Sequence, residues 1–277
     1  MSGPAQRGFP PTRQRLALGL ELFDACRGWR VGPDLRVTFD ESARGLDRPP
    51  VRRHNSGLHA LLTYPGIPAE VTLRVFDAGR RAPHPRDPDV VGYDARLDRR
   101  RFVPRRLTVP LPAEADRAAD PWDDGRGRRP FLYPGAGYDA PDTATGLRGR
   151  VFRGAARVRW VRVEATLPDT DVVIARAHGD DRGEFLLLLP NLPVPVGDPT
   201  DPLEFDVTVY GPDPAPAPTP AALTDPLWDL PVERLADPGT DDDPVARGEQ
   251  VPAGYTELLG DTIVFEPGRT ITREFNV

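Results

Sequence analysis

The sequence predicts an all-β protein made of two β-sandwich domains in tandem, joined by ordered loops that are rich in proline. Three observations support this fold class. Short segments in which apolar and polar residues alternate recur along the chain, as in strands with one buried face. The 277 residues include 35 prolines, and proline is excluded from helix interiors and central strands. No long segment has the apolar spacing of an amphipathic helix.

The N-terminal part is predicted to be a flexible arm followed by the first sandwich. Residues 1–13 are dominated by Gly, Pro and polar residues, which is typical of a mobile terminus. Residues 14–112 contain five strand-like segments separated by Gly, Pro and Asp clusters, and this cadence predicts a β-sandwich. The segments are 16–23, 35–39, 58–64, 70–76 and 106–111. A short helix over 16–23 is the alternative by propensity, but Gly19 and the alternation favour a strand.

Two long irregular segments interrupt these strands. The loop 78–101 is dense in Arg, Asp and Pro, and a loop of this length is either functional or disordered. Residues 113–145 form a connector that carries mixed charge and then aromatic residues and glycines. Disordered tethers are poor in aromatic residues. We therefore expect an ordered connector whose Trp122, Tyr133 and Tyr138 pack on a domain or on a partner.

Residues 146–277 are predicted to form the second sandwich. In the run 157–167, Val161, Val163 and Ala165 alternate with polar residues, which predicts a central strand. Strand-like segments at 172–177 and 184–189 follow, separated by the polar turn 179–183. In that turn we expect Gly183 to adopt a positive φ and an aspartate to cap backbone N–H groups.

This half resembles the carboxypeptidase regulatory-like, or transthyretin-like, family of β-sandwiches. The likeness rests on three segments, G-L-R-G-R-V at 146–151, V-R-V-E-A at 161–165 and A-R-A-H-G-D-D-R-G-E-F at 175–185. The chain's end is similar to the family's closing hairpin at 251–255, 262–265, 267–268 and 270–277. The resemblance implies a sandwich with an insertion at about 211–250. It also implies an accessory, folding or interaction module, and it supplies little chemistry.

The insertion has a composition of its own. Residues 211–220 alternate proline with small residues, which predicts a semi-rigid polyproline-II spacer. Residues 223–235 are amphiphilic and contain Leu227, Trp228 and Leu230. These side chains either dock back on their own sandwich or form a peptide-like arm that binds a neighbouring subunit.

Composition argues against several classes of protein. The net charge is −6 and the chain contains no lysine, so we expect no concentrated basic face and no nucleic-acid binding. Cys26 is the only cysteine, which excludes an internal disulfide and favours the cytoplasm. The N-terminus lacks the apolar core of a signal peptide, and no apolar run is long enough to cross a bilayer. We expect a soluble cytoplasmic protein without membrane insertion.

The sequence lacks the motifs of common catalytic, cofactor and metal sites. The histidines have neither the H-E-x-x-H pattern nor another two-ligand helical spacing, and they are His54, His59, His84 and His178. No serine lies in a Gly-x-Ser-x-Gly turn, and no glycine-rich phosphate loop follows a strand. Asp180, Asp181 and Glu184 lack the spacing of a calcium loop. We therefore predict no enzyme activity, no cofactor and no metal site.

Two functions remain. The segments 101–111 and 129–139 are similar to proteins encoded beside bacterial contractile injection systems, which are phage-tail-like particles. This likeness implies a structural subunit such as a cap or baseplate accessory component, assembled with other protein subunits as a homo-oligomer or ring and released as part of a particle. The alternative is a β-sandwich module that binds carbohydrate or a cell surface. The predicted partner-binding residues are Trp122, Tyr133, Tyr138, Leu227, Trp228 and Leu230.

Overall fold

The computed structural model describes residues 15–32, 34–40, 51–54, 56–77, 93–96, 98–113, 124–190, 202–240 and 242–277. Within these ranges the chain is almost entirely β, which confirms the predicted all-β class. Helical structure in the described residues is confined to two short 3₁₀ segments, Asp124–Arg126 and Pro220–Leu223, and to one four-residue helix, α1 (Pro244–Arg247). The predicted arm 1–13, Trp122 and most of the loop 78–101 lie outside the described residues.

The described residues of the N-terminal half form nine strands. They are β1 (Leu16–Leu20), β2 (Phe23–Asp24), β3 (Leu35–Phe39), β4 (Arg52–Arg53), β5 (His59–Leu62), β6 (Glu70–Asp77), β7 (Arg105–Pro110), β8 (Gly127–Arg128) and β9 (Phe131–Leu132). One sheet has the order β4-β5-β1-β8, and a second sheet contains β7, β6 and β3. Strands β2 and β9 form a small parallel pair. The predicted segments 35–39, 58–64, 70–76 and 106–111 all coincide with strands, and 16–23 contains β1 and the start of β2.

The inner faces of these two sheets share one apolar core. Leu20 of β1 and Leu61 of β5 belong to the same buried cluster as Leu73 of β6 and Leu107 of β7, and all four are fully buried. In β3 and β7 buried and partly exposed positions alternate at the start of each strand. The period-2 pattern in the sequence is therefore the signature of these core faces.

In the C-terminal half, the ranges that the structure describes form eight strands in addition to one discussed below. They are β10 (Gly146–Arg153), β11 (Ala156–Arg157), β12 (Arg162–Thr166), β13 (Val173–His178), β14 (Glu184–Leu188), β15 (Leu203–Pro212), β17 (Tyr255–Phe265) and β18 (Thr270–Asn276). One sheet has the order β13-β12-β15-β17, and in the other β10 pairs with β11, β14 and β18. A separate buried cluster, which includes Val163, Phe205 and Phe265, lies between these sheets.

The central strand predicted in the run 157–167 is present as β12, which lies between β13 and β15, but it covers only Arg162–Thr166. Ala156–Arg157 belongs to β11, which pairs with the end of β10, and β12 begins only at Arg162. Between them Trp160 has φ +60°, a left-handed conformation that a strand does not contain. The turn 179–183 follows the prediction, because Gly183 has φ +69° and the Asp180 carboxylate accepts the backbone N–H groups of Arg182 and Glu184.

The remaining strand crosses the predicted domain boundary. Strand β16 (Val232–Arg234) lies in the predicted insertion of the second sandwich, yet it pairs in parallel with β7 of the N-terminal half. The second N-terminal sheet thereby becomes β16-β7-β6-β3. The two halves are consequently joined by a shared sheet as well as by the connector, and the division into two domains stays a prediction.

Candidate functional site

The segment between β15 and β17 holds the two halves of the chain together. We call it the strap and define it as residues 220–240 and 242–249. Val232, Glu233 and Arg234 of the strap lie opposite residues of β7, and the Leu235 N–H donates to the Thr108 carbonyl at 2.9 Å. The strap leaves the C-terminal sheet after β15, contacts the N-terminal sheet, and returns to β17.

Glu233 of the strap is bound by arginines from both halves. Arg105 of β7 donates from Nε to Oε1 at 3.0 Å and from Nη2 to Oε2 at 2.8 Å, and Arg162 of β12 lies 3.4 Å from Oε1. All three side chains are at most 5% exposed. Burial alone would raise the pKa of Glu233, but the charges and hydrogen bonds of the two arginines outweigh it and lower that pKa.

Arg105 also anchors the end of the strap. Its remaining donors bind the backbone carbonyls of Phe131, Val245 and Ala246. The short helix α1 that carries two of these carbonyls is capped by Asp243, which accepts the N–H of Ala246 at 2.9 Å. A guanidinium at 0% exposure needs partners for all its donors. The three carbonyls accept hydrogen bonds from the Arg105 N–H groups that do not bind Glu233.

A stacked pair of aromatic rings contacts the C-terminal end of the strap. The rings of Tyr133 and His178 lie 4.0 Å apart at 17°. His178 Nε2 is 3.0 Å from the Gly248 carbonyl, and the Tyr133 hydroxyl donates to the Arg247 carbonyl at 3.1 Å. Burial, followed by the nearby charges of Arg162 and other arginines, holds the pKa of His178 well below its ordinary value. The imidazole is therefore neutral at physiological pH.

Asp229 makes a second contact, with the C-terminal half. Arg159 donates to both carboxylate oxygens at 2.7 Å, and the Trp160 indole N–H donates to Oδ1 at 2.7 Å. Trp160 packs beneath the strap with Leu227 and Leu230. The left-handed backbone at Trp160 thus places a large side chain where the strap covers it, and the residue is only 1% exposed.

Asp225 makes the third contact, with the N-terminal half. Arg74 of β6 lies 2.8 Å from Asp225 Oδ2 and 2.9 Å from Asp40 Oδ1. The other oxygen of Asp225 accepts the Leu227 N–H at 3.0 Å. Asp225, Asp229 and Glu233 are therefore spaced four residues apart and bind arginines of the N-terminal half, the C-terminal half and both halves, respectively.

The structure brings some of the predicted partner-binding residues to this strap and buries most of them. Tyr133, Tyr138, Leu227 and Leu230 are each at most 7% exposed. Tyr138 donates its hydroxyl to the buried Asp24 at 2.7 Å, away from the strap. These four side chains are accounted for by contacts within the chain. Trp228 is half-buried and Trp122 lies outside the described residues.

Two features of the structure are not indicated by the sequence motifs. Trp29 is 72% exposed on a turn of the N-terminal half. Its position beside Gly28, in the run C-R-G-W-R, is a signal for a surface turn that could have found it. The ionic contacts of the strap are the second feature. Their carboxylates are regularly spaced in the sequence, but the arginine partners are distant, by 70 residues for Asp229 and by 128 for Glu233.

Other candidate sites carry less chemistry. An open groove lined by Glu70, Arg234 and Asp237 contains charges that pair with one another, at 3.4 and 3.0 Å. Within the described ranges, no group of three His, Cys, Asp or Glu side chains is arranged to hold a metal. In the same ranges no helix is long and apolar enough to cross a membrane.

Comparison of the chain with protein-family models, characterised proteins and solved structures finds no match.

Proposed function

We propose that the protein is a non-enzymatic structural subunit of a large protein assembly. The specific role proposed is a cap or baseplate accessory component of a contractile injection system. The chain would assemble in the cytoplasm with other subunits as a homo-oligomer or ring and leave the cell as part of the particle. The resemblances of residues 101–111, 129–139 and 146–277 support this specific role.

The observation that carries the proposal is the strap. Domains joined by a simple linker move relative to one another by default. Here β16 extends the N-terminal sheet, and Glu233 binds Arg105 of one half and Arg162 of the other in a buried site. Buried ion pairs contribute specificity of arrangement more than net stability. A chain that fixes the orientation of its two halves in this way suits a building block that transmits position between neighbours.

The chemistry of the strap also favours a structural role. Asp225, Asp229 and Glu233 of the strap are each paired with an arginine of the halves that the strap joins. A general acid or base needs an accessible carboxyl group with a pKa near the working pH. The pKa of Glu233 is instead lowered and its side chain is buried.

The proposal is tested by gradient sedimentation of gently lysed producing cells with detection of this chain. We expect the chain to migrate with a megadalton particle. Deletion of the strap would remove Asp225, Asp229 and Glu233 and unfold the junction, so the half-buried Trp228 is the better target. Trp228→Ala should weaken co-migration, whereas the control Val172→Ala, at a site that is 54% exposed, should not. A wild-type chain that migrates only as a free monomer contradicts the proposal.

Carbohydrate binding is a second candidate, and one observation favours it. Glycan-binding sandwiches present exposed aromatic rings, and Trp29 is 72% exposed. The test is a glycan array with the wild-type chain and with Trp29→Ala. Binding that disappears in the variant supports this function, and the absence of binding by the folded wild-type chain removes it.

A further inference from the structure

The charges of the chain are divided unevenly between its two parts. Residues 1–145 contain 24 arginines and 19 carboxylates, a net charge of +5, whereas residues 146–277 contain 12 arginines and 23 carboxylates, a net charge of −11. The whole-chain value of −6 conceals this division. Because the strap joins the two parts in one arrangement, opposite charges are presented by different regions of the same molecule.

The positive part contains an exposed surface centred on Trp29. We call it the Trp29 patch and define it by Arg27, Trp29, Arg30, Arg53 and Arg129, all of which are exposed. The carboxylates beside it are Glu21, whose side chain is 13% exposed, the buried Asp24, which accepts the Arg27 backbone N–H at 3.0 Å, and Asp139, whose backbone carbonyl accepts from the Arg27 side chain. The four guanidinium groups of the patch outnumber these three carboxylates.

Contacts within the chain hold the patch together. Glu21 pairs with both Arg30 and Arg129, which fixes these two side chains side by side. Arg30 also donates to the Ser56 carbonyl at 3.0 Å, in the turn that follows Arg53. Tryptophan and arginine are the residue types most enriched at the energetic centres of protein interfaces. An exposed tryptophan in a part of the surface that carries exposed arginines is therefore suited to binding an acidic protein surface.

The negative part presents such a surface on the outer face of the sheet β13-β12-β15-β17. We call it the acidic face and define it by Glu164, Glu204, Asp206 and Glu257 together with Tyr210 and Val264. In register, Glu204 lies opposite Val264 and Tyr210 lies opposite Glu257. Glu204 and Glu257 are exposed, and Val264 is 49% exposed. Val264 and Tyr210 supply apolar area between the carboxylates.

The acidic face has the dimensions of a docking site. Between the Glu204 and Tyr210 positions the strand rises about 20 Å, at roughly 3.3 Å per residue. Arg176 on this face is paired with Glu164 at 2.8 Å, and Arg162, which lies opposite Tyr210, is buried against Glu233 of the strap. In the part of the chain that the structure describes, no ion pair joins the Trp29 patch to the acidic face of the same molecule. Both surfaces are thus left available to other molecules.

We propose that the Trp29 patch of one copy of this chain docks on the acidic face of a second copy. The inference rests on the proposed function, and it names the partner as the chain itself. The contact is heterologous, because each copy uses a different surface from the one it meets. Repeating such a contact gives a ring when the rotation closes and a filament when it does not.

The test is sedimentation velocity of the purified full chain over a range of concentrations. We expect self-association that weakens between about 0.1 M and about 1 M NaCl, over which the Debye length falls from about 10 Å to about 3 Å. Trp29→Ala should shift association to higher concentration. A wild-type chain that stays monomeric, or that associates equally well at both salt concentrations, overturns the inference.

Charge reversal identifies the two surfaces. The variant R53E/R129E reverses the patch, and E204R/E257R reverses the acidic face. Each variant alone should be monomeric, because like charges then meet at the contact. An equimolar mixture of the two should associate again, since each variant offers the surface that complements the other. The control R96E/R157E changes the charge equally at exposed arginines outside both surfaces, and it should associate as the wild type does.

The two variants and their mixture distinguish the heterologous contact from patch-to-patch association and from unfolding. Patch-to-patch contact would leave E204R/E257R, whose patch is intact, associating on its own before any mixing, and unfolding is excluded when each variant keeps the wild-type circular dichroism and melting temperature. If the mixture fails to associate although both variants are folded, the inference is overturned. A chain that is monomeric when pure but still sediments with a particle in lysate contradicts only the inference, whereas loss of co-sedimentation contradicts the proposed function itself.

Discussion

Glu233 and Arg105 form a bidentate ion pair in which both side chains are buried, with N–O distances of 3.0 and 2.8 Å. The residues are 128 positions apart and lie on adjacent parallel strands, β16 and β7. Arg162 of the C-terminal half also binds this carboxylate. The pair is therefore the point at which strap, N-terminal sheet and C-terminal sheet meet.

Removing the carboxylate from this site should destabilise the fold strongly. Glu233→Ala leaves Arg105 and Arg162 buried without a counterion, and breaking a buried pair in this way costs about 3–5 kcal/mol. The free energy of unfolding, measured by urea denaturation, should fall by that amount. The control Glu204→Ala removes an exposed carboxylate and should change it by less than about 0.5 kcal/mol.

Replacing the whole ionic site should cost less than breaking it. In the triple variant Arg105→Met, Arg162→Met and Glu233→Leu, no charge remains unpaired, and apolar replacements of buried ion clusters are often neutral or stabilising. We expect this variant to unfold at a higher urea concentration than Glu233→Ala. A triple variant less stable than the single one would mean that the arginine contacts to backbone carbonyls dominate instead.

Gly248 should be required at the end of the strap. It has φ +70°, and a Cβ there would approach the Tyr133 ring to 2.7 Å and the His178 ring to 3.0 Å. Gly248→Ala therefore combines backbone strain with overpacking, and we expect a loss of about 2–5 kcal/mol in urea denaturation. Gly239→Ala is the matched control, since φ is +83° but nothing lies within 4 Å of its Cβ. It should lose only about 1–2 kcal/mol.

Stability should fall in mild acid because of His178. Its folded pKa lies well below the ordinary 6.5 through burial and the neighbouring arginines. As the pH drops below about 6.5, the unfolded chain binds a proton that the folded chain does not, so stability decreases. His178→Gln keeps an amide donor near the Gly248 carbonyl and should reduce this decrease between about pH 7 and pH 5, while His59, whose pKa burial lowers to about 4, supplies the part that remains. His54→Gln, at an exposed site, should leave the wild-type slope, and a slope unchanged in His178→Gln would refute the assignment.

Local sequence patterns predict the strands and turns well, because these elements depend on residues that are close together in the sequence. The segment 35–39 alternates and coincides with β3 residue for residue. The turn at Gly183 needs a residue that accepts positive φ, and the sequence supplies glycine there. Each of these features depends on neighbours within a few residues, so a sequence pattern is sufficient to find them.

The strap could not be predicted because the residues that hold it in place are distant from it in the sequence. Strand β16 has three residues, and it forms only because β7 offers an open edge. Arg105 lies on that edge, 128 positions from Glu233 in the sequence. The alternation around 157–167 hides the break at Trp160, whose indole N–H binds Asp229, 69 residues away. Long-range ion pairs leave no periodic signal, so the sequence alone leaves open whether the aromatic residues of this region pack within the chain or on a partner.

Substitution of a buried apolar residue should lower stability without changing association, whereas substitution of the exposed Trp29 should weaken association without changing stability. Leu227 is fully buried against Trp160 beneath the strap, so Leu227→Ala should lower the free energy of unfolding by about 2–5 kcal/mol. Trp29 is 72% exposed, and Trp29→Ala should change that free energy by less than about 0.5 kcal/mol. In sedimentation velocity at a temperature where both variants are folded, only Trp29→Ala should weaken self-association. A large loss of stability in Trp29→Ala would instead assign its indole to the packing of its own chain, and the surface would then be unavailable to a second copy.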